Sequence, residues 1–176
     1  MATSFPTLAS LDMQPYLIDG EFPSGLAGKV GIYAIFDQTE QLQYVGYSRD
    51  IAVGLLQHLV RCTQQCHWFK VHTIERPSRT ILEEIRTAWI TESGSVPPGN
   101  GEQQLAWEKP IDAKVFMTDD ERYEIANAEP ARTPKWLKQL ARRVDADVKA
   151  TVEARGANIP IKFNPKLKEQ GLLSLK

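Results

Sequence analysis

Three groups of side chains have types and spacings that chemistry could use. Tyr33 and Tyr44 end and begin the tripeptides Gly31-Ile32-Tyr33 and Tyr44-Val45-Gly46, with ten residues between the two tyrosines, and His58 follows fourteen residues after Tyr44. Phenols and an imidazole can pass protons, the imidazole near neutral pH. The alternative for the tyrosines is ordinary strand aromatics with hydroxyls at the surface, and for His58 a polar helix residue lining a cleft. His58, Cys62, Cys66 and His67 make the second group, since Cys and His both suit zinc. A single helix seldom surrounds a tetrahedral ion, however, and a cysteine is often just a small buried hydrophobe. A Cys62–Cys66 redox pair would require the helix to end before Cys66. The third group is basic: Lys135, Lys138, Arg142, Arg143 and Lys149, which read either as phosphate contacts or as the solvated face of an amphipathic helix.

The elements that position these residues follow from hydrophobic periodicity. Lys29 to Asp37 and Leu42 to Tyr47 are β-rich runs joined by the polar stretch Gln38 to Gln41, which predicts a β-hairpin. Ile51, Leu55, Leu59 and Cys62 keep helical spacing behind Asp50, a plausible cap. Trp68 to Ile74 reads as a third strand, and Ser78 to Glu92 as a second helix burying Ile81, Ile85, Ala88 and Trp89. Thr118 to Ala128 reads as a short helix with acids in its first turn, and Thr133 to Gly156 as a long one with Pro134 at its first position. The expected fold class is α/β: a small antiparallel sheet flanked by helices, with a helical C-terminal extension. Residues 1–28, rich in Pro and Gly, form an irregular arm; residues 29–101 form the domain; residues 102–176 form the basic helical extension.

Composition narrows the class further. The 176 residues are 42% hydrophobic, enough for one packed core with an appended segment. Net charge is −1, yet residues 1–100 carry seven basic against ten acidic side chains, and residues 130–176 carry eleven against four. No run reaches membrane-spanning length and the first 28 residues hold no Lys or Arg, so no membrane partner and a cytoplasmic location are expected.

The two tripeptides match the signatures of the GIY-YIG endonuclease family, which the chain resembles over about residues 29–100. Within that family the stretch from Gly31 through Tyr47-Ser48-Arg49-Asp50-Ile51 to Trp89-Ile90 and Val96-Pro97-Pro98-Gly99-Asn100 is most similar to the GIY-YIG domain of plant plastid monothiol glutaredoxins and its stand-alone cyanobacterial relatives. The resemblance implies Mg-dependent phosphodiester hydrolysis, with Tyr33 activating water, Tyr44 assisting, and His58 placed where several members carry a His. Two charged roles are vacated: Gly54 stands where a helix Arg would hold phosphate, and Arg86 where a Glu would bind Mg. Glu83, one turn earlier, is the remaining metal candidate, and Arg49 or Arg61 could reach a phosphate. Gly54 is expected to face Tyr33, with Arg86 on the same cleft holding an anion more readily than Mg. No Cys-Gly-Phe-Ser motif occurs after residue 100, so the resemblance carries no iron–sulfur or glutathione chemistry.

The expected function is thus a nucleic-acid-directed protein with a degenerate site and weak or absent Mg-dependent cleavage. Tyr33, Tyr44 and His58 would form the remaining site. Arg49, Arg86, Arg142 and Arg143 would contact DNA or RNA. The alternative is a non-catalytic protein-interaction or redox-responsive regulatory module, with the C-terminal helix meeting a protein partner.

Overall fold

The computed structural model describes residues 4–176. The order of elements is β1 (Gln14–Pro15), β2 (Gly31–Phe36), β3 (Leu42–Ser48), α1 (Ile51–Arg61), β4 (Trp68–Thr73), α2 (Arg79–Glu92), α3 (Gln104–Glu108), β5 (Ile111–Asp112), α4 (Asp119–Asn127), α5 (Thr133–Ala154), α6 (Pro165–Lys168) and β6 (Leu172–Leu173). Four strands make an antiparallel sheet in the order β1-β4-β2-β3. All six residues of β2 are buried, because it is flanked by β3 and β4 and covered on both faces, which explains its unbroken apolar sequence.

Strand alternation sorts the sheet into two faces. Tyr33, Ile35 and Tyr44 point toward α1, where they pack with Ile51, Leu55 and Leu59. Ile32, Ala34, Phe36 and Val45 point the other way onto Leu82, Ile85 and Trp89 of α2. The cross-strand pairs Tyr33–Gly46 and Ile35–Tyr44 set the register, and a shift between Ile35 and Phe36 marks the end of regular pairing near the turn. Asp50 caps α1 by accepting the Val53 N–H, and Ser78 caps α2 through the Ile81 N–H, both at 3.3 Å. Thr118 and Glu121 form a reciprocal capping box at the start of α4.

The two ends of the chain are more ordered than their composition suggests. Gln14 and Pro15 pair with Phe69 and Trp68 at the far edge of the sheet, and Tyr16, fully buried, donates its hydroxyl to the Leu55 carbonyl at 2.5 Å. β6, in the stretch expected to be a helical extension, pairs with β5, while Leu173 and Phe163 pack with Leu140, Ala141 and Val144 of α5 against Val60 of α1. Trp107 and Val152, both from beyond residue 101, share one core with Tyr33 and Leu55.

Candidate functional site

Tyr33, Tyr44 and His58 meet between the hairpin and α1. The Tyr33 hydroxyl and His58 Nε2 share a hydrogen bond of 2.9 Å, and the Tyr44 ring lies 4.7 Å from the imidazole centroid to centroid. Both tyrosines point toward the first helix, as strand alternation requires. They do not open into a cleft: Tyr33 is 2% exposed, Tyr44 5% and His58 4%. The alternative of strand aromatics with hydroxyls at the surface is therefore corrected, and the reason lies in a segment to which periodicity assigned no element.

That segment is α3. Its Trp107, fully buried, stacks on Tyr44 with centroids 5.0 Å apart and planes 11° from parallel, and also touches His58. Glu108 accepts the Tyr44 hydroxyl at 3.1 Å, and Arg61 Nη1 donates to the Trp107 carbonyl at 3.1 Å. Gly99 makes room for the indole, since a Cβ there would stand 2.9 Å from Trp107 Cδ1. Asn100 holds the same loop to the hairpin, its side chain accepting the Val45 N–H and donating to the Val45 carbonyl, each at 2.8 Å. These two bonds pair the exposed backbone of edge strand β3. The signal in the sequence was the short apolar run Leu105-Ala106-Trp107 between polar residues.

Burial sets the electrostatics. Desolvation, with the Arg61 charge nearby, lowers the His58 pKa to about 3, so the imidazole is neutral at pH 7. Desolvation raises the Tyr33 hydroxyl well above its ordinary value, and Tyr44 is raised by burial and by the Glu108 carboxylate. None of the three is tuned toward neutrality, as a working base would be. At this site two buried polar atoms lack hydrogen-bond partners among the described residues, His58 Nδ1 and Trp107 Nε1. The Trp107 carbonyl, which accepts from Arg61, also lies near His58, but no hydrogen bond of good geometry joins it to the imidazole.

The vacated position is filled by necessity. Gly54 faces Tyr33, and a Cβ on it would lie 2.8 Å from the Tyr33 hydroxyl and 3.1 Å from Ser48 Cβ. A side chain enters only if the Tyr33 hydroxyl moves, so an arginine does not fit this point of α1 as it is packed.

The remaining predicted residues lie elsewhere. Glu83 sits on α2, across the sheet, where Oε1 accepts the Tyr47 hydroxyl at 2.6 Å and Oε2 pairs with Arg86 at 3.1 Å. A carboxylate already bound to a phenol and a guanidinium does not fit a divalent cation. Among the described residues no three His, Cys, Asp or Glu side chains converge on a common point. Arg86 reaches around edge strand β3, over the Tyr47 ring, to within 4.0 Å of Glu108, so it borders the Tyr44 pocket through acids rather than presenting a free cation. Arg49 is exposed between β3 and α1. Arg142 is exposed on α5, whereas Arg143 is tied to Glu121, Asp147 and the Phe116 carbonyl, which makes it the clamp between α4 and α5. Lys149 and Lys168 both pair with buried Asp145, and Lys138 lies 3.8 Å from Glu169.

The cysteines are free and buried. α1 ends at Arg61, Cys62 is its C-cap, and a short 3₁₀ turn precedes Cys66, so one helix does not carry both thiols. Burial pushes the Cys62 thiol up to about 12 and raises Cys66 as well, the opposite of an activated thiolate. No helix among the described residues is long and apolar enough to cross a membrane.

No family model matches the chain. Over 104 residues it is 33% identical to a protein of Arabidopsis thaliana named bifunctional monothiol glutaredoxin-S16, chloroplastic; the match takes in 57% of this chain and 34% of that protein. The chain thus spans about a third of the length of this relative.

Proposed function

We propose that the chain is a GIY-YIG-type domain of endonuclease ancestry that works as a non-cleaving regulatory or interaction module. The observation that carries this reading is the closure of the Tyr33–His58–Tyr44 site by Trp107 and Glu108. Where a scissile phosphate would have to approach the two phenols, an indole is stacked and a carboxylate is bound, and a carboxylate repels phosphate. The neutral, unactivated state of all three groups and the engaged Glu83 carboxylate agree with it. The similarity to a glutaredoxin-named protein supports the wider assignment, but the buried, unactivated thiols of Cys62 and Cys66 favour packing over a redox role.

The test is cleavage of supercoiled plasmid and structured RNA with Mg or Mn. No cleavage above that of Tyr33→Phe is expected. Metal-dependent cleavage by the wild-type chain that Tyr33→Phe abolishes would return the protein to the enzymes.

A second reading, nucleic-acid binding without cleavage, is favoured by exposed Arg142 and Lys135 on α5. Replacing these two together would lower the log–log salt slope of duplex binding by up to about 2. Arg143 is unsuitable for that test because its loss undoes the α4–α5 clamp.

A further inference from the structure

On the side of α3 turned away from Tyr44 lies an open pocket of about 520 Å³, a size that accepts small organic ligands. Its walls are Leu105, Ile111, Val115, Phe116 and Leu172. Three of these are apolar side chains left in water, Leu105 at 73% exposed, Val115 at 70% and Phe116 at 57%, and they stand together around one concavity. A patch of this kind gains by being covered.

The charges at the pocket are asymmetric. Arg61 lines it half-buried, and among the described residues its one hydrogen bond is the Nη1 donation to the Trp107 carbonyl. No carboxylate oxygen among the described residues lies within 4.0 Å of its guanidinium. Burial depresses its pKa, with Glu108 close enough to oppose that shift but beyond ion-pair distance, and the guanidinium stays protonated at neutral pH. Lys109 stands exposed at the rim. The one lining acid, Asp112, is already engaged by the Lys114 backbone N–H at 3.0 Å and by Lys114 Nζ at 3.8 Å. A half-buried guanidinium in an apolar cup calls for an anion that brings its own apolar cover, since a bare inorganic anion would leave the walls wet.

We propose that this pocket binds a small amphipathic carboxylate, its head on Arg61 and Lys109 and its apolar body against Leu105, Val115 and Phe116. Because Arg61 also holds the Trp107 carbonyl, the occupied pocket is felt at the closure over Tyr44. The site is independent of whether the tyrosine pocket ever cleaved a phosphodiester.

Decanoate, decanol and acetate, titrated separately into the full chain by calorimetry and by amide and indole NMR, test it. Decanoate is expected to bind once, saturably, shifting Leu105, Val115 and Phe116 amides together with the Trp107 indole N–H. Decanol, which lacks the charge, and acetate, which lacks the tail, should each bind at least about tenfold more weakly. Arg61→Met should weaken decanoate about tenfold and leave decanol unchanged. Val115→Asp, at an exposed position that leaves folding intact, should also weaken decanoate by placing a carboxylate at the cup. Equal binding of decanoate and decanol, shifts centred on other residues, or full affinity in Val115→Asp would overturn the assignment.

Discussion

The two faces of the central sheet are packed in different ways. On the α2 face, Ile32, Ala34, Phe36 and Val45 meet Leu82, Ile85 and Trp89, and the one deep polar atom, Trp89 Nε1, donates to the Pro6 carbonyl at 3.0 Å. On the α1 face, two phenols and an imidazole are buried under Trp107, whose Nε1 finds no acceptor, and His58 Nδ1 has no hydrogen-bond partner among the described residues. Each unpaired buried donor costs roughly 1–3 kcal/mol. A face chosen for packing alone would not hold such groups. The contrast agrees with the proposal that the α1 face is a former site covered by Trp107.

The comparison can be broken most directly at the cover. Trp107→Ala removes a fully buried indole and should cost about 3–5 kcal/mol in urea unfolding, while the His58 pKa, followed by NMR, rises from about 3 toward its ordinary value as water enters. A His58 that stays depressed in this variant would mean that Trp107 does not seal the site.

Acid should distinguish the faces next. His58 is held neutral in the folded chain down to about pH 3, whereas in the unfolded chain it takes up a proton below about pH 6.5. Between those values the unfolded state binds the extra proton, so stability falls as pH falls, by about 1.4 kcal/mol per pH unit from this group alone. The groups facing the imidazole are Tyr33, Tyr44, Arg61 and Glu108, and the phenols do not titrate in this window. The slope attributable to His58 is the difference between wild type and His58→Gln; identical slopes would show that the imidazole is not held neutral.

A finer comparison uses the two buried tryptophans. Trp89→Phe and Trp107→Phe remove the same volume, but the first leaves the Pro6 carbonyl unpaired and the second sheds an unpaired N–H. Trp89→Phe should therefore cost about 1–2 kcal/mol more than Trp107→Phe. The reverse order would show that Trp107 Nε1 has a partner in solution.

The smallest effect concerns Gly54. Gly54→Ala gains up to about 1 kcal/mol of helix propensity but forces the Tyr33 hydroxyl from its place, at about 1–3 kcal/mol. A net loss of about 1 kcal/mol is expected, turning neutral or favourable in a Tyr33→Phe background, where the obstructing oxygen is gone. Equal effects in both backgrounds would detach the glycine from the tyrosine.

Local chemistry made the central elements legible. The β-rich runs around Tyr33 and Tyr44, the Asp50 cap and the acidic first turn of α4 each rest on interactions within a few residues, and the observed strand and helix ends fall within two residues of those expected. β1 and β6 were not legible, because a two-residue strand next to Pro or Gly exists only through its partner across the sheet.

What the sequence determined by itself was which side chains share a face: period-two alternation put Tyr33 and Tyr44 toward α1, and helical spacing brought His58 to meet them. What the tertiary structure alone decided was whether that face is open. Trp107 lies 63 residues beyond Tyr44 and Glu108 64 residues beyond it, and no local propensity records that a five-residue helix returns to cover them. The same holds for Gly54, whose lack of a side chain reads in the sequence as a lost cation and in the folded chain as the space the Tyr33 hydroxyl requires. Periodicity is a property of neighbours along the chain, whereas accessibility depends on every segment that packs above the site.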